Sequence, residues 1–128
     1  MTTPLWCLLI VMLLPIVLAG VGGYFRNKQL GTLDNDDPRE QIKALTGAGS
    51  RAYAAQQNAW EALALFTAAA LTAHVLGADP ERSAQLAVAF VVFRVLHAVC
   101  YIGGWATLRS LMFMGGLVSL IWLFVLGA

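Results

Sequence analysis

The chain has 128 residues, of which 59% are hydrophobic and only 12% are charged. Its mean hydropathy of +0.73 lies outside the range of ordinary soluble domains and indicates an integral membrane protein. The net charge of +1 says nothing about nucleic acid, and no basic cluster suggests it, so we expect no nucleic-acid partner. The two cysteines, Cys7 and Cys100, are too few for a disulfide framework, so we expect free thiols.

A first apolar run extends over residues 5–23 and can cross about 30 Å of hydrocarbon at 1.5 Å per residue. It predicts a membrane-spanning helix over about residues 5–25, kinked at Pro15. A cleaved signal peptide is the competing interpretation, but no positive residue precedes the run, so we favour a retained helix. Residues 26–47 then form the one sizeable polar loop, with four basic and four acidic residues.

Three further helices are predicted over about residues 50–76, 83–104 and 110–127. The expected fold is therefore all-α, an integral membrane four-helix bundle that forms one domain over residues 1–128. Six of the basic residues outside the spans fall in the loop, the first turn of the second helix and the link before the last helix, whereas only Arg82 falls on the other side. Both termini are therefore expected outside, with the loop in the cytoplasm.

Polar side chains follow one face of the second predicted helix and one face of the third. In the second helix, the spacing i, i+7, i+10 aligns Arg51, Asn58 and Glu61. In the third helix, the spacing i, i+3, i+7 aligns Arg94, His97 and Tyr101. Measured from the turn between the helices, Glu61 lies about 24 Å and Arg94 about 18 Å along the bundle. Because either charge alone is expensive inside a bilayer, we predict an ion pair between Arg94 and Glu61.

The order and spacing of these polar residues resemble those of the MAPEG family, the membrane-associated proteins in eicosanoid and glutathione metabolism. The resemblance rests on Arg51-x-Tyr53-x-Ala55-Gln56-x-Asn58-x-x-Glu61, on Arg94-x-x-His97-x-x-x-Tyr101 and on Arg109-Ser110. The joint order and spacing of these motifs, the four-helix layout and the basic loop extend the resemblance over nearly the whole chain.

This resemblance implies a homotrimer with glutathione as cosubstrate, bound at each subunit interface near the cytoplasmic side. It implies that Arg109 stabilises the glutathione thiolate, that Ser110 has a similar role, and that Arg26 reaches the site of the adjacent subunit. The residues implied to bind glutathione are Arg26, Arg51, Gln56, Asn58, Glu61, Arg94, His97 and Tyr101. The chain is most similar in length and alanine content to bacterial members, which implies a bacterial inner membrane.

The chemistry of such a site is coherent. A free thiol has a pKa of about 8.5 and reacts as the thiolate, so a nearby guanidinium raises the reactive fraction at neutral pH. A lipophilic substrate can reach the same site laterally from the bilayer.

Two positions depart from the catalytic branches of the family: Ala54 stands where a second arginine is usual, and Ala62 where tyrosine is frequent. The departures leave the site with fewer hydrogen-bond donors.

Three functions remain open on this sequence. The first is a membrane-bound glutathione-dependent transferase or peroxidase that acts on a lipophilic electrophile. The alternative is a non-catalytic lipid-binding or scaffold membrane protein of the same fold, which Ala54 favours. The third is a small transporter with Glu61 as a proton-linked carboxylate, which requires water access from both sides.

Structural roles also remain open for the same residues. Glu61 and Arg94 can serve only to fix the register of two helices, and Arg51 and Arg109 can be positive-inside anchors. For His97, a satisfied buried histidine is favoured over a ligand. No metal site is predicted, because the only other histidine, His74, is expected near the opposite membrane face.

Overall fold

The protein is built from α-helices alone, as predicted. A computed structural model describes all residues 1–128 and contains no strand, with 85% of the residues in helices. The five helices are α1 (Thr3–Leu30), α2 (Pro38–Lys43), α3 (Gly47–Val75), α4 (Pro80–Gly103) and α5 (Ala106–Gly127).

Three helices, α1, α4 and α5, are long and apolar enough to cross a membrane. The fourth long helix, α3, has 29 residues but does not reach the same hydropathy, because alanines and polar side chains occupy much of its length. Of the four spans expected from the sequence, the structure therefore supports three. The chain is an integral membrane protein, and α3 packs against α1, α4 and α5.

All four long helices begin or end beyond the bounds predicted for them, and α1 and α4 show the physical reason. α1 continues past residue 25 to Leu30, where Gly31 ends it with a φ of 79° in the left-handed region. α4 begins at Pro80 rather than at residue 83, because the Asp79 side chain accepts a hydrogen bond of 2.8 Å from the Arg82 backbone and caps the helix. Capping and turn chemistry, rather than the end of the apolar run, set both boundaries.

The polar loop contains the short helix α2, which the sequence analysis did not predict. Its six residues are too few to show an apolar periodicity. The Gln41 side chain of α2 donates a hydrogen bond to the Thr32 carbonyl at 2.6 Å, which holds α2 against the preceding part of the loop. Gln29 exchanges two hydrogen bonds with the Thr46 backbone, at 3.0 and 3.1 Å, and so ties the last turn of α1 to the start of α3.

The direction of the helices defines two ends of the molecule. The loop end carries residues 31–46 and the starts of α3 and α5, and the turn end carries residues 76–79 and the starts of α1 and α4. The core differs along this axis. Toward the turn end, Phe66 and Phe90 stack with ring centroids 4.4 Å apart. Toward the loop end, the buried cluster contains only Leu18, Ala55, Ala59 and Ala98.

Candidate functional site

The polar stripe of α4 is turned into the protein. Arg94 and His97 are each only 3% exposed, and Tyr101 is half-buried. The His97 ring meets the Tyr101 ring edge-on, with centroids 5.6 Å apart. The His97 Nδ1 atom is buried and makes no hydrogen bond within the chain, and the predicted burial of His97 is confirmed. A buried polar atom without a partner marks a place where a ligand or water is needed.

Asn58 of α3 connects the two polar stripes. The Arg94 Nη2 donates to Asn58 Oδ1 at 2.5 Å, and Asn58 Nδ2 donates to Glu61 Oε2 at 3.2 Å. The direct ion pair predicted between Arg94 and Glu61 is therefore wrong, because a neutral amide stands between the two charges. Glu61 remains on the exposed side of α3, and turning its carboxylate inward would add a desolvation cost.

A cavity of about 410 Å³ lies where α3, α4 and α5 meet toward the loop end. Five of the residues singled out from the sequence line this loop-end cavity: Asn58, His97, Tyr101, Arg109 and Ser110. They come from three helices, and the two predicted stripes therefore do face a common space. The loop-end cavity combines a cation, an amide, an imidazole, a phenol and a hydroxyl group.

Arg109 is held at the wall of the loop-end cavity by an aromatic contact. Its guanidinium carbon lies 4.5 Å from the centroid of the Tyr101 ring, a cation–π arrangement that orients the charge. The residue sits at the start of α5, where the unpaired backbone N–H groups add partial positive charge. The Ser110 hydroxyl donates to the Ala106 carbonyl at 3.1 Å and is exposed. An anion in this cavity would meet a guanidinium and a helix N-terminus together.

Arg51 lies beside the loop-end cavity rather than inside it. Its Nε donates to the Ile102 carbonyl at 3.1 Å, near the end of α4. Together with Tyr101, Arg109 and Cys100, it lines an adjoining cavity of about 140 Å³. Arg51 and Arg109 thus line the same adjoining cavity, and the positive charge at the loop end is concentrated on this side of the bundle.

The structure separates Arg26 and Gln56 from the other predicted residues. Both line a cavity of about 180 Å³ between α1, the loop and α3, together with Tyr53 and Ile42. None of the residues around Arg109 lines this Arg26 cavity. Within one chain, the predicted glutathione-binding residues therefore form two groups rather than one.

A narrower space leaves the loop-end cavity toward the middle of the bundle. This α3–α5 groove holds about 130 Å³ and shares Asn58 and Phe113 with the loop-end cavity. Its apolar wall is formed by Ala62, Leu65, Phe90, Leu117 and Leu120. Arg94 and Glu61 complete it, so the groove carries both charges of the Arg94–Asn58–Glu61 chain.

Two residues of the loop-end cavity were missed from the sequence. Phe113 and Met114 of α5 complete its lining, and the Phe113 ring lies 6.0 Å from that of His97. Phe113 follows Arg109 by four residues, so helical spacing places both on one face. This spacing could have predicted Phe113 as a site residue, but an aromatic residue within an apolar run is not distinguished from its neighbours by sequence alone.

A larger cavity lies elsewhere, at the turn end. It holds about 480 Å³ and is lined by the first four residues of the chain, His74, Ser83 and neighbours from the turn. His74 is exposed, and the buried Ser83 hydroxyl donates to the Asp79 and Pro80 carbonyls, so no buried polar side chain is left without a partner there. No three His, Cys, Asp or Glu side chains lie together as a metal site anywhere in the chain.

The sequence of the chain matches the model of the MAPEG family over residues 3–128, which is essentially its whole length. The family resemblance that was drawn from the polar motifs is thereby confirmed. No curated protein and no solved structure matches the chain with significance.

Proposed function

Since the chain belongs to the MAPEG family, which is known for glutathione transferase and peroxidase functions in membranes, we propose that it is a membrane-bound glutathione-dependent transferase or peroxidase. Its second substrate is a lipophilic electrophile. One observation supports the proposal most: the loop-end cavity collects Asn58, His97, Tyr101, Arg109 and Ser110 from three helices around one space. The charge of that space is positive, and glutathione is an anion.

Arg109 stabilises the thiolate of glutathione in this proposal. Its guanidinium is oriented by Tyr101 and reinforced by the start of α5, so the anionic form of the thiol is favoured over the neutral form. In the transferase reaction, the thiolate sulfur forms a bond to the electrophilic carbon, and the bond from that carbon to its leaving group breaks, so that the leaving group departs with the electron pair. In the peroxidase reaction, two glutathione molecules are oxidised to the disulfide while a hydroperoxide is reduced to an alcohol and water. Ser110 supplies a hydroxyl donor to the same sulfur when its hydroxyl group rotates away from the Ala106 carbonyl.

The remaining groups of the loop-end cavity hold the tripeptide. His97 and Tyr101 offer ring nitrogen and phenol groups, and Asn58 is kept in place by its hydrogen bonds to Arg94 and Glu61. Arg51, in the adjoining cavity, adds a second cation for the carboxylates of glutathione. Arg94 and Glu61 therefore act on the ligand mainly through Asn58.

The functional unit proposed here is a homotrimer. Arg26 and Gln56 do not reach the loop-end cavity of their own chain, which is the arrangement expected if they complete the site of a neighbouring copy. In a two-plasmid co-expression, subunits with Arg26→Ala and subunits with Arg109→Ala should together recover activity that neither variant shows alone. Mixed oligomers without any recovery would contradict a site shared between subunits.

The proposed location is the inner membrane of a bacterium, with the loop in the cytoplasm and both termini outside. The loop end carries Arg26, Lys28, Arg39, Lys43, Arg51 and Arg109, whereas the turn end carries only Arg82. Glutathione is then taken from the cytoplasm and the lipophilic substrate from the bilayer. Labelling of single cysteines placed in the loop and at the C-terminus tests this orientation.

The direct test of the proposed function is turnover by the purified protein. Wild type should conjugate chlorodinitrobenzene or reduce a lipid hydroperoxide with glutathione, and Arg109→Ala should lower kcat by about a hundredfold, the scale for loss of one oriented charge donor. Arg82→Ala is the matched control, because it removes an exposed arginine from the turn end. Equal rates for wild type and Arg109→Ala would remove Arg109 from the mechanism.

The second candidate function is lipid binding without catalysis. The observations that favour it are Ala54, which brings no second arginine to the Arg51 side of the site, and the apolar wall of the α3–α5 groove. A protein of this kind would bind lipid but show no glutathione-dependent turnover with any electrophile.

A further inference from the structure

The loop end of α4 is closed by two backbone hydrogen bonds. The Gly104 N–H donates to the Tyr101 carbonyl at 3.2 Å, and the Trp105 N–H donates to the Cys100 carbonyl at 3.0 Å. This is the pattern made by a left-handed glycine after a helix, and Gly104 has a φ of 78°. No backbone N–H group reaches the carbonyl of the next residue, Ile102. That carbonyl depends on a donor from another part of the chain.

Arg51, in the first turns of α3, supplies this donor. Its Nε donates to the Ile102 carbonyl at 3.1 Å. A Cβ atom placed on Gly104 would lie 3.4 Å from Arg51 Cζ and 3.5 Å from both Nε and Nη2, so the plane of the guanidinium faces the glycine at contact distance. The positive group also meets the carbonyl end of a helix, where the partial charge is negative. Arg51 therefore binds the end of α4 by a hydrogen bond, a packed face and a charge.

The position of Arg109 depends on the same end of α4. Only Gly104 and Trp105 separate α4 from α5, and they form the α4–α5 link. The Arg109 N–H donates to the Trp105 carbonyl at 2.9 Å, so Arg109 stands one turn beyond the link. Its guanidinium lies over the ring of Tyr101, which comes just before the link. A shift of the link would therefore change both the backbone that carries Arg109 and the ring that orients it.

We propose that Arg51 is a positioning residue for Arg109: it holds the α4–α5 link, and the link sets the direction of the Arg109 guanidinium in the loop-end cavity. The inference rests on the proposed function, because it concerns the charge assigned to the glutathione thiolate. It goes beyond the role of Arg51 as a second cation. That role needs the charge alone, whereas positioning needs the Nε–H group and the planar face of the guanidinium. Lysine can supply the charge but neither of these features.

Hydrogen exchange of the protein without ligand tests whether Arg51 holds the link. In Arg51→Lys, the backbone amides of residues 104–109 should exchange about fivefold faster than in wild type, the scale for loss of one hydrogen bond. Arg39→Lys is the matched control, because it changes an exposed arginine at the same end of the molecule, and it should exchange as wild type does. Arg51→Met gives the same readout in case Arg51→Lys does not fold. Unchanged exchange in the folded variant would overturn the proposal.

The thiolate of bound glutathione tests whether Arg51 acts through Arg109. Ultraviolet absorbance of the thiolate, followed as a function of pH, gives the pKa of the bound thiol. In Arg51→Lys, this pKa should rise by about one unit and kcat should fall about tenfold, while KM changes less than twofold, because the cation is kept but Arg109 is displaced. A cation that only binds carboxylates predicts the opposite: Arg51→Lys resembles wild type, and Arg51→Met raises KM alone. That result would contradict the positioning role.

A double variant isolates the route of the effect. If Arg51 acts on the thiolate only by placing Arg109, then Arg51→Lys should cause no further loss of kcat in a protein that already carries Arg109→Ala. A further tenfold loss in the double variant would show that Arg51 acts by an independent route, and the proposal would be wrong.

The two readouts separate this inference from the proposed function. If wild type shows neither a thiolate signal nor turnover, but Arg51→Lys still accelerates exchange at the link, then the glutathione function is wrong and Arg51 still holds the link. If wild type forms the thiolate and turns over, but exchange in Arg51→Lys is unchanged, then only the positioning role is wrong.

Discussion

The two ends of the molecule each contain a cavity and the starts of two helices, but they differ in how their polar groups are satisfied. The turn-end cavity is the larger, at about 480 Å³ against about 410 Å³. Its buried hydroxyl, on Ser83, is fully hydrogen-bonded within the chain. The loop-end cavity is lined by the buried His97, whose Nδ1 has no partner, and Arg94 next to it has unused donors.

This difference shows that the volume of a cavity does not identify a functional site. A cavity whose polar groups are already paired has little to offer a ligand, whereas unpaired buried groups gain free energy when a ligand supplies the missing partners. The hydrophobic core also differs between the turn end and the loop end. Stacked aromatic rings fill the turn-end half, and small alanines near the loop end leave space for polar side chains.

The largest expected effect concerns the core toward the turn end. Phe66 is fully buried and stacks on Phe90, so Phe66→Ala should lower the free energy of unfolding by about 3–5 kcal/mol. Thermal unfolding in detergent measures this, with Leu71→Ala at an exposed position of the same helix as control. Below the melting temperature, the variant should still bind glutathione with nearly the affinity of wild type. A large loss of affinity in folded Phe66→Ala would break the division between a structural half and a binding half.

A smaller loss of stability is expected for Arg94→Ala at the loop-end side. The variant removes a buried side chain and leaves Asn58 Oδ1 without its donor, which costs about 2–4 kcal/mol. It should also weaken glutathione binding, because Asn58 is no longer fixed. Arg82→Ala, which removes an exposed arginine near the turn end, should change neither quantity. A melting temperature of Arg94→Ala equal to that of wild type would show that the buried guanidinium does not support the site.

The parts of this account that the sequence could predict follow from periodicity within single helices. The apolar runs of α1, α4 and α5 stand out by hydropathy, and the spacing of Arg94, His97 and Tyr101 placed them on one face of α4. Counted at 1.5 Å per residue from the turn between α3 and α4, Asn58 also falls level with Tyr101, and both line the loop-end cavity.

The predictions that were wrong or missing depend on how one helix or loop packs against another. Depth along the bundle made Arg94 and Glu61 neighbours, but depth does not show which of Asn58 and Glu61 turns inward, and the uncharged amide is the cheaper group to bury. The separation of Arg26 from Arg109 depends on how α1 and α5 are arranged around α3, which no periodicity within one helix encodes. Helix α2 is fixed by side-chain hydrogen bonds such as that of Gln41, which composition does not reveal.

The central claim is that the loop end binds glutathione, and the most direct measurement is the melting temperature of the detergent-solubilised protein as glutathione is added. A ligand that binds only the folded state stabilises it by about 2.7 kcal/mol at a concentration of a hundred times Kd. We predict a saturable rise for wild type and for His74→Ala at the turn end, and little or no rise for Arg109→Ala. A melting temperature that does not respond to glutathione, or a rise that Arg109→Ala retains and His74→Ala loses, would contradict the account.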